Sequence, residues 1–279
     1  MAEKSLSETI TVKKTDPIYY LDQNVAYART DAWFGHVTRN LMMDIIYPQT
    51  DEKLYPCIIW VCGGAWMQMD KSAHIPYLSD LARRGFVVAS VEYRLGHEAP
   101  FPSAVIDIKA AIRYLRAHAK RYSIDVKRFG ISGESAGGYL TSITALSNNK
   151  EFEQGEYLDQ SSALQAACPW YPPIDLPKLA KQTSFYPPFF AGSIEDKKYC
   201  DFINPINYIT SKAPPFLILH GDKDETVPLD QGKLLHDALT EKKINSRFII
   251  IKGAGHADAN FFQKPVWDII AEFFKEKLK

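Results

Sequence analysis

The sequence has few cysteines, and their spacing matches no disulfide or metal-binding motif. The four cysteines of the 279-residue chain, Cys57, Cys62, Cys168 and Cys200, are too few for a disulfide framework, and no two form a C-x-x-C motif. Thiols of this kind are most often buried and act as small hydrophobic groups. We therefore expect free cysteines in a reduced, cytoplasmic protein.

The chain also lacks an excess of charge and long apolar runs. The 33 Lys and Arg residues balance 33 Asp and Glu residues, so we expect no nucleic-acid partner and no anionic membrane partner. No apolar run approaches the roughly 20 residues of a membrane helix, and residues 1–14 lack the apolar core of a signal peptide. A hydrophobic content of 46% nevertheless allows one domain, residues 1–279, with a substantial core.

Short apolar runs alternate with amphipathic patterns along most of the sequence. Strands are predicted at residues 9–13, 41–47, 57–62, 86–91, 129–132, 165–170, 216–219 and 247–251. Helices are predicted at residues 75–84, 103–122, 139–146, 229–239 and 265–277. This alternation indicates an α/β fold with a mostly parallel central sheet and helices on both faces.

Residues 149–212 interrupt the alternation. This segment is rich in Pro, Tyr, Phe and Asp, has weak periodicity, and contains one of the predicted strands. It is too long for an ordinary connection between elements. We interpret it as an irregular lid or insert over the site at the carboxyl ends of the strands, where ligands bind in such sheets.

A candidate nucleophile lies between a predicted strand and a predicted helix. The sequence there reads Gly133-Glu134-Ser135-Ala136-Gly137, which matches the G-x-S-x-G nucleophile elbow in the strand–turn–helix setting that the motif requires. Glycine and serine are also common turn residues, so the alternative is a turn serine without chemistry. The elbow hypothesis predicts that the hydroxyl of Ser135 projects from the sheet edge.

A serine nucleophile needs a base, and the base needs an orienting acid. Asp224 follows the strand at 216–219 and His256 follows the strand at 247–251, on a glycine-flanked loop. The order Ser135, Asp224, His256 is that of α/β-hydrolases. The alternatives are Asp222 and Asp258 for the acid, and His220, His97, His74 and His236 for the base.

The third requirement is a set of backbone N–H groups for the developing oxyanion. The N–H of Ala136, directly after the nucleophile, is one candidate. The glycine-containing stretch at 62–66 follows a buried strand, and we expect Gly64 and Ala65 to supply the other donors.

Five stretches together resemble one family. They are CGGAW (62–66), EYRLGHEAPFPSAVIDIKAAIRYL (92–115), GESAGG (133–138), HGDKDETVP (220–228) and GAGH (253–256). They are similar to the α/β-hydrolases of the hormone-sensitive-lipase-like and bacterial acetyl-esterase and feruloyl-esterase (BD-FAE-like) group. One position departs from the family pattern, because Cys62 stands where the family has a histidine.

The resemblance implies a serine carboxylesterase that acts through an acyl-enzyme. Ser135, His256 and Asp224 would form the triad, and Gly64, Ala65 and Ala136 the oxyanion hole. Its substrates would be short-chain or carbohydrate-linked acyl esters, of acetyl or feruloyl type, on a small molecule or an oligosaccharide. No cofactor and no metal is implied. A peptidase or amidase of the same fold is the alternative, and a non-catalytic small-molecule receptor is a further one.

Aromatic residues near the expected site could line a substrate pocket. Trp66, Trp170, Tyr171 and Tyr186 lie on the stretches that follow predicted strands or on the irregular segment. Loops over a sheet end often carry specificity, although core packing explains most aromatics. We therefore assign these four to the pocket as a hypothesis.

Overall fold

The fold is built around one eight-stranded sheet, whose strands lie between Tyr19 and Ile251. A computed structural model describes residues 7–33, 35–50, 53–147, 150–183, 187 and 189–279. The sheet has the strand order β1-β2-β4-β3-β5-β6-β7-β8. The strands are β1 (Tyr19–Ala32), β2 (Val37–Pro48), β3 (Tyr55–Val61), β4 (Val87–Val91), β5 (Ile124–Glu134), β6 (Ala166–Trp170), β7 (Phe216–Gly221) and β8 (Ser246–Ile251).

The sheet is parallel except at one side. β1 pairs antiparallel with β2, and β2 pairs antiparallel with β4, whereas β3 to β8 pair in parallel with their neighbours. Every residue of β3, β4, β6 and β7 is buried. This explains why the sequences of these strands are mostly apolar runs, since both of their faces are covered.

Helices cover both faces of the sheet. They are α1 (Ile75–Arg83), α2 (Ser103–Ala117), α3 (Ala136–Leu146), α4 (Leu176–Thr183), α5 (Lys197–Ile203), α6 (Leu229–Glu241) and α7 (Lys264–Lys277). α2, α3 and α6 pack into one core with one set of strand side chains, and α1 and α7 pack into a second core with the other set. The predicted α/β class with a mostly parallel sheet is therefore confirmed.

Two predictions at the level of elements need correction. Residues 9–13 form no strand, and the first strand is β1 (Tyr19–Ala32). The predicted helix at 103–122 ends earlier, at Ala117. The first stretch alternates in sequence, but its apolar residues Ile10 and Val12 are exposed and pack against no core, whereas the second keeps buried side chains beyond the end of the helix.

The segment 149–212 divides into parts with different positions. β6 lies within the sheet, between β5 and β7. Before it, Arg113 and Arg116 of α2 donate to the backbone carbonyls of Gln154, Ser161 and Ala163, which fixes that stretch to the helix. After it, α4 reaches the carboxyl edge of the sheet beside the predicted nucleophile.

None of the helices in the described ranges has the length and apolar character needed to cross a membrane.

Candidate active site

Ser135 occupies a strained turn between β5 and α3. Its φ of 56° and ψ of −121° lie in a region that L-residues rarely adopt, and such strain typically costs about 1–3 kcal/mol. Its N–H donates to the Trp170 carbonyl at 3.0 Å, which ties the turn to β6. A Cβ at Gly137 would lie 2.0 Å from the Val61 carbonyl oxygen, so only glycine fits there. The sequence thus folds locally into the strand–turn–helix geometry that a nucleophile elbow has.

The imidazole of His256 meets the serine hydroxyl. His256 lies on the loop after β8, and its Nε2 is 2.8 Å from Ser135 Oγ. The two residues are 121 positions apart in sequence. With Nδ1 protonated, Nε2 accepts the hydroxyl hydrogen, which is the geometry that a general base requires.

The Asp224 carboxylate orients that imidazole. Its Oδ2 is 2.8 Å from His256 Nδ1. Its Oδ1 accepts hydrogen bonds from the backbone N–H groups of Thr226 and Val227 at 3.0 and 2.8 Å. The Asp224 side chain is fully buried and the His256 side chain is 17% exposed. The carboxylate therefore fixes the imidazole as the tautomer that carries hydrogen on Nδ1.

The alternative acids have other bonds. Asp222 is exposed, and its Oδ1 accepts from the Gly253 N–H at 2.6 Å, which joins the loop after β7 to the loop after β8. Asp258 accepts from the N–H of Asn260 at the start of a short 3-10 turn. Of the three aspartates, Asp224 is the one whose carboxylate meets His256.

The alternative histidines lie away from the Ser135 hydroxyl. His220 is buried, and its Nε2 lies 2.8 Å from the Val227 carbonyl. Burial lowers its pKa from the ordinary 6.5, so it is neutral and donates this bond. The other three have surroundings of their own: His74 stacks on Phe262, His236 pairs with Ser246, and His97 is exposed.

The loop after β3 makes a tight turn beside Ser135. The Gly64 carbonyl accepts from the N–H of Met67 at 3.0 Å, while Ala65 and Trp66 have φ values of 53° and 59°. Within the described ranges, no acceptor bonds the N–H groups of Ala65 and Ala136. Both residues line a cavity together with Ser135.

Glu134 holds this loop through a hydrogen bond to its backbone. No role was predicted for this residue from the sequence. Its Oε1 accepts from the Gly63 N–H at 2.6 Å, and its Oε2 accepts from the Tyr171 hydroxyl at 3.3 Å. Burial, followed by the neighbouring Glu134 charge, holds the pKa of Tyr171 well above its ordinary value, so this phenol stays a donor. The signal for Glu134 was its place beside the nucleophile in the G-x-S-x-G motif.

Cys62 takes part in the same support. Its carbonyl accepts from the Tyr93 hydroxyl at 2.8 Å, and its thiol donates to the Asp70 carbonyl at 3.2 Å. Burial raises the pKa of Cys62 to about 12, so the thiol is neutral and remains a donor. These bonds hold the loop where the family pattern has a histidine.

Two cavities meet at Ser135. The narrow cavity has a volume of about 180 Å³ and is lined mainly by apolar groups, among them Trp66, Leu176 and Leu179. The open crevice has a volume of about 640 Å³ and contains His256 together with polar side chains. Those side chains are Gln68, Asp70, Glu134 and Thr226.

The four aromatic residues assigned to the pocket have different positions. Trp66 lines the narrow cavity. Trp170 instead packs against Trp60 and Trp267 in the core, at ring distances of 5.2 Å, because β6 is buried on both faces. Tyr171 is buried edge-on to the His256 ring, at 4.7 Å. Tyr186 lies outside the described residues.

α4 supplies wall residues that the sequence reasoning did not identify. Leu176 and Leu179 are buried and line the narrow cavity. The signal was present, since Leu176, Leu179 and Ala180 have the spacing of one helix face. Asp175 precedes them and accepts from the N–H of Lys178 at 3.0 Å, as a helix-capping residue does.

In the described part of the chain, no three His, Cys, Asp or Glu side chains are arranged so that they could hold a metal ion. The groups that the site does bring together are a hydroxyl, an imidazole and a carboxylate, hydrogen-bonded in series. Such a chain of groups can make the serine oxygen nucleophilic toward an acyl carbon.

The chain is similar to known esterases. The model of the BD-FAE family matches residues 43–239. Two curated relatives from Mycobacterium tuberculosis are each 32% identical: esterase LipQ, over 67% of this chain and 46% of LipQ, and the probable carboxylic ester hydrolase LipM, over 83% of this chain and 56% of LipM. The chain thus spans about half the length of these curated relatives.

A solved structure is similar to this chain over nearly the whole length of both proteins. It is a truncated form of a carbohydrate esterase from gut microbiota, with a TM-score of 0.78 and 28% identity. The match covers 94% of this chain and 99% of that one.

Proposed function

The chain belongs to the BD-FAE family of α/β-hydrolases, and from this premise we propose that it is a serine carboxylesterase. The observation that carries the proposal is the unbroken hydrogen-bonded series Ser135 Oγ, His256 Nε2 and Nδ1, Asp224 Oδ2, with 2.8 Å at both contacts. This series lies where two cavities meet, so an ester can reach it from solvent.

The reaction proceeds through an acyl-enzyme. His256 takes the proton of Ser135 as the serine oxygen attacks the ester carbonyl, and Asp224 stabilises the imidazolium that forms. The N–H groups of Ala136, Ala65 and Gly64 bind the oxyanion. His256 then gives its proton to the departing alcohol, and water releases the acid by the same route.

The proposed substrates are short-chain or carbohydrate-linked acyl esters, with acetyl and feruloyl as candidate acyl groups. The resemblance to a carbohydrate esterase supports a sugar as the alcohol. The polar lining of the open crevice supports it as well, because hydroxyl groups find hydrogen-bond partners there.

Two measurements test the activity. Purified protein should hydrolyse p-nitrophenyl acetate, and a fluorophosphonate probe should add to the peptide that contains Ser135, as read by mass spectrometry. Ser135→Ala should abolish both. The matched control is Ser79→Ala, since Ser79 lies on α1 and its hydroxyl donates to the Ile75 carbonyl.

The outcome that overturns the proposal is specific. If Ser135→Ala hydrolyses the ester as fast as the unaltered protein, the serine is not the nucleophile. Cleavage of the corresponding p-nitroanilide as fast as the ester would favour an amidase.

A further inference from the structure

The two cavities at Ser135 stand in different positions relative to the base. The open crevice contains His256, whereas the lining of the narrow cavity includes Ser135, Ala65 and Ala136 but not His256. They also differ in chemistry, since the narrow cavity is almost wholly apolar while polar groups form a much larger share of the open crevice. This asymmetry decides which part of an ester each one can hold.

A tetrahedral intermediate has four substituents, and three of them have fixed directions. One is Ser135 Oγ, the second is the oxyanion at the backbone donors, and the third is the departing oxygen, which must face His256 to receive its proton. The departing alcohol therefore extends into the open crevice. The fourth substituent, the acyl tail, is left with the narrow cavity.

Resting on the proposed function, we propose that the narrow cavity is an acyl site that limits the substrate to short aliphatic acyl groups, and that the open crevice admits bulky polar alcohols. Selectivity then lies on the acyl side of the ester. Of the two candidate acyl groups, this geometry selects acetyl and its short homologues and rejects feruloyl.

The volume of the narrow cavity sets the limit. A dry cavity of about 150 Å³ holds one benzene ring, that is, about six non-hydrogen atoms. The narrow cavity, at about 180 Å³, therefore holds about seven. A feruloyl group has about eleven non-hydrogen atoms beyond its carboxyl carbon and oxygens, which is too many for close packing in this volume.

Part of the cavity wall is formed by buried, closely packed side chains. Trp66 is buried and packs against the rings of Tyr139 and Phe190 at 5.4 and 4.9 Å. Leu176 and Leu179 are buried on the inner face of α4. Leu179 is the residue to alter, because shortening it opens the cavity without touching Ser135, His256 or Asp224.

The experiment compares methyl esters, so that the alcohol stays constant. Values of kcat/KM are measured for methyl acetate, butyrate, octanoate, dodecanoate and ferulate, each divided by its rate constant for alkaline hydrolysis to remove intrinsic reactivity. We expect the highest values between acetate and octanoate. Dodecanoate and ferulate should be lower than butyrate by about 10- to 200-fold, the range that a pocket of the wrong size produces.

Two variants test the wall. Leu179→Ala should raise the ratio of ferulate to butyrate at least about tenfold, and Leu179→Phe should shift the optimum to acetate. Leu158→Ala is the matched control, since Leu158 is 59% exposed and lies outside the site. The melting temperature of each variant shows whether it is folded. If a variant is unfolded, the methyl-ester series measured on the unaltered protein decides the proposal.

The alcohol side has its own comparison. Replacing methyl acetate with acetylated xylo-oligosaccharides should not lower kcat/KM, because the crevice is open and polar. A ferulate value equal to that of butyrate in the unaltered protein would overturn the acyl limit while leaving the esterase intact. Hydrolysis of none of these esters, with Ser135→Ala no different, would instead refute the proposed function itself.

Discussion

Asp224→Asn tests the core of the site, because it changes one atom and reverses one hydrogen bond. The amide oxygen can remain at the position of Oδ1 and keep the bonds from Thr226 and Val227. The amide nitrogen then faces His256 Nδ1, where the carboxylate accepts in the native protein. Because this nitrogen can only donate, Nδ1 must accept, and the imidazole hydrogen moves to Nε2.

The reversed tautomer cannot act as the base. Nε2 would then carry a hydrogen toward Ser135 Oγ, 2.8 Å away, and would have no lone pair for the serine proton. The opposite orientation of the amide, with its oxygen toward His256, is disfavoured. It points the NH₂ group at the N–H groups of Thr226 and Val227 and leaves buried donors unpaired. The same change in another serine hydrolase lowers kcat about 10⁴-fold, which corresponds to about 5.4 kcal/mol in the barrier.

The assay is steady-state hydrolysis of p-nitrophenyl acetate, with kcat and KM separated. We expect kcat to fall about 10⁴-fold while KM changes little, since the substrate cavities are unaltered. The matched control is Asp222→Asn, an exposed residue whose amide oxygen can keep the bond from Gly253. It should stay within about threefold of the unaltered protein. An Asp222→Asn defect as large as that of Asp224→Asn, or an Asp224→Asn loss below tenfold, would refute the reasoning.

Three further changes probe the packing and protonation around the site. Gly137→Ala, whose Cβ would lie 2.0 Å from the Val61 carbonyl oxygen, should cost about 3 kcal/mol or more in urea denaturation; a loss under about 1 kcal/mol would contradict the contact. Iodoacetamide at pH 8 should alkylate the half-buried Cys200 first in the native protein, because burial raises the pKa of Cys62 to about 12; mass spectrometry showing Cys62 modified as fast would contradict this. Burial lowers the pKa of His220 from 6.5, so the unfolded chain binds this proton more readily and the stability present above pH 6.5 is lost as the pH falls. The melting temperature should therefore drop in acid, and less steeply in His220→Gln; equal slopes would exclude His220 as the source.

The central strands could be predicted because each has two covered faces. β3 and β7 are buried at every residue, so, apart from His220 near the end of β7, their sequences are apolar runs bounded by polar or turn residues. The turn at Ser135 could be predicted for a related reason. The close approach of Gly137 to Val61 leaves glycine as the one residue type possible at position 137. Strong local constraints of this kind leave a visible trace in a single sequence.

β1 could not be predicted, because its sequence shows no such local constraint. It is an edge strand, paired on one side with β2 alone, and among its side chains whose burial is described only Tyr27 is fully buried. Its pairing also shifts register between Asp22 and Val25 and again between Ala26 and Ala28. These irregularities break the two-residue period that identifies a strand.

The two tryptophans assigned to the pocket show a second limit. Both follow apolar stretches and precede irregular ones, yet Trp66 lines the narrow cavity and Trp170 lies in the core. The difference depends on Trp60 and Trp267, which lie far from Trp170 in sequence and enclose its ring. Burial decided by distant partners leaves no local signal.

The placement of the serine and its base also has a consequence for biosynthesis. The elbow follows β5, whereas the base follows β8, three places further along the sheet and 121 residues later in the chain. A nascent polypeptide that has emerged only as far as β6 contains the residues of the strained turn and of the loop after β3, but it lacks His256. In the proposed mechanism, hydrolysis can begin only after β8 has docked, so turnover would report the completion of folding in a cell-free translation reaction.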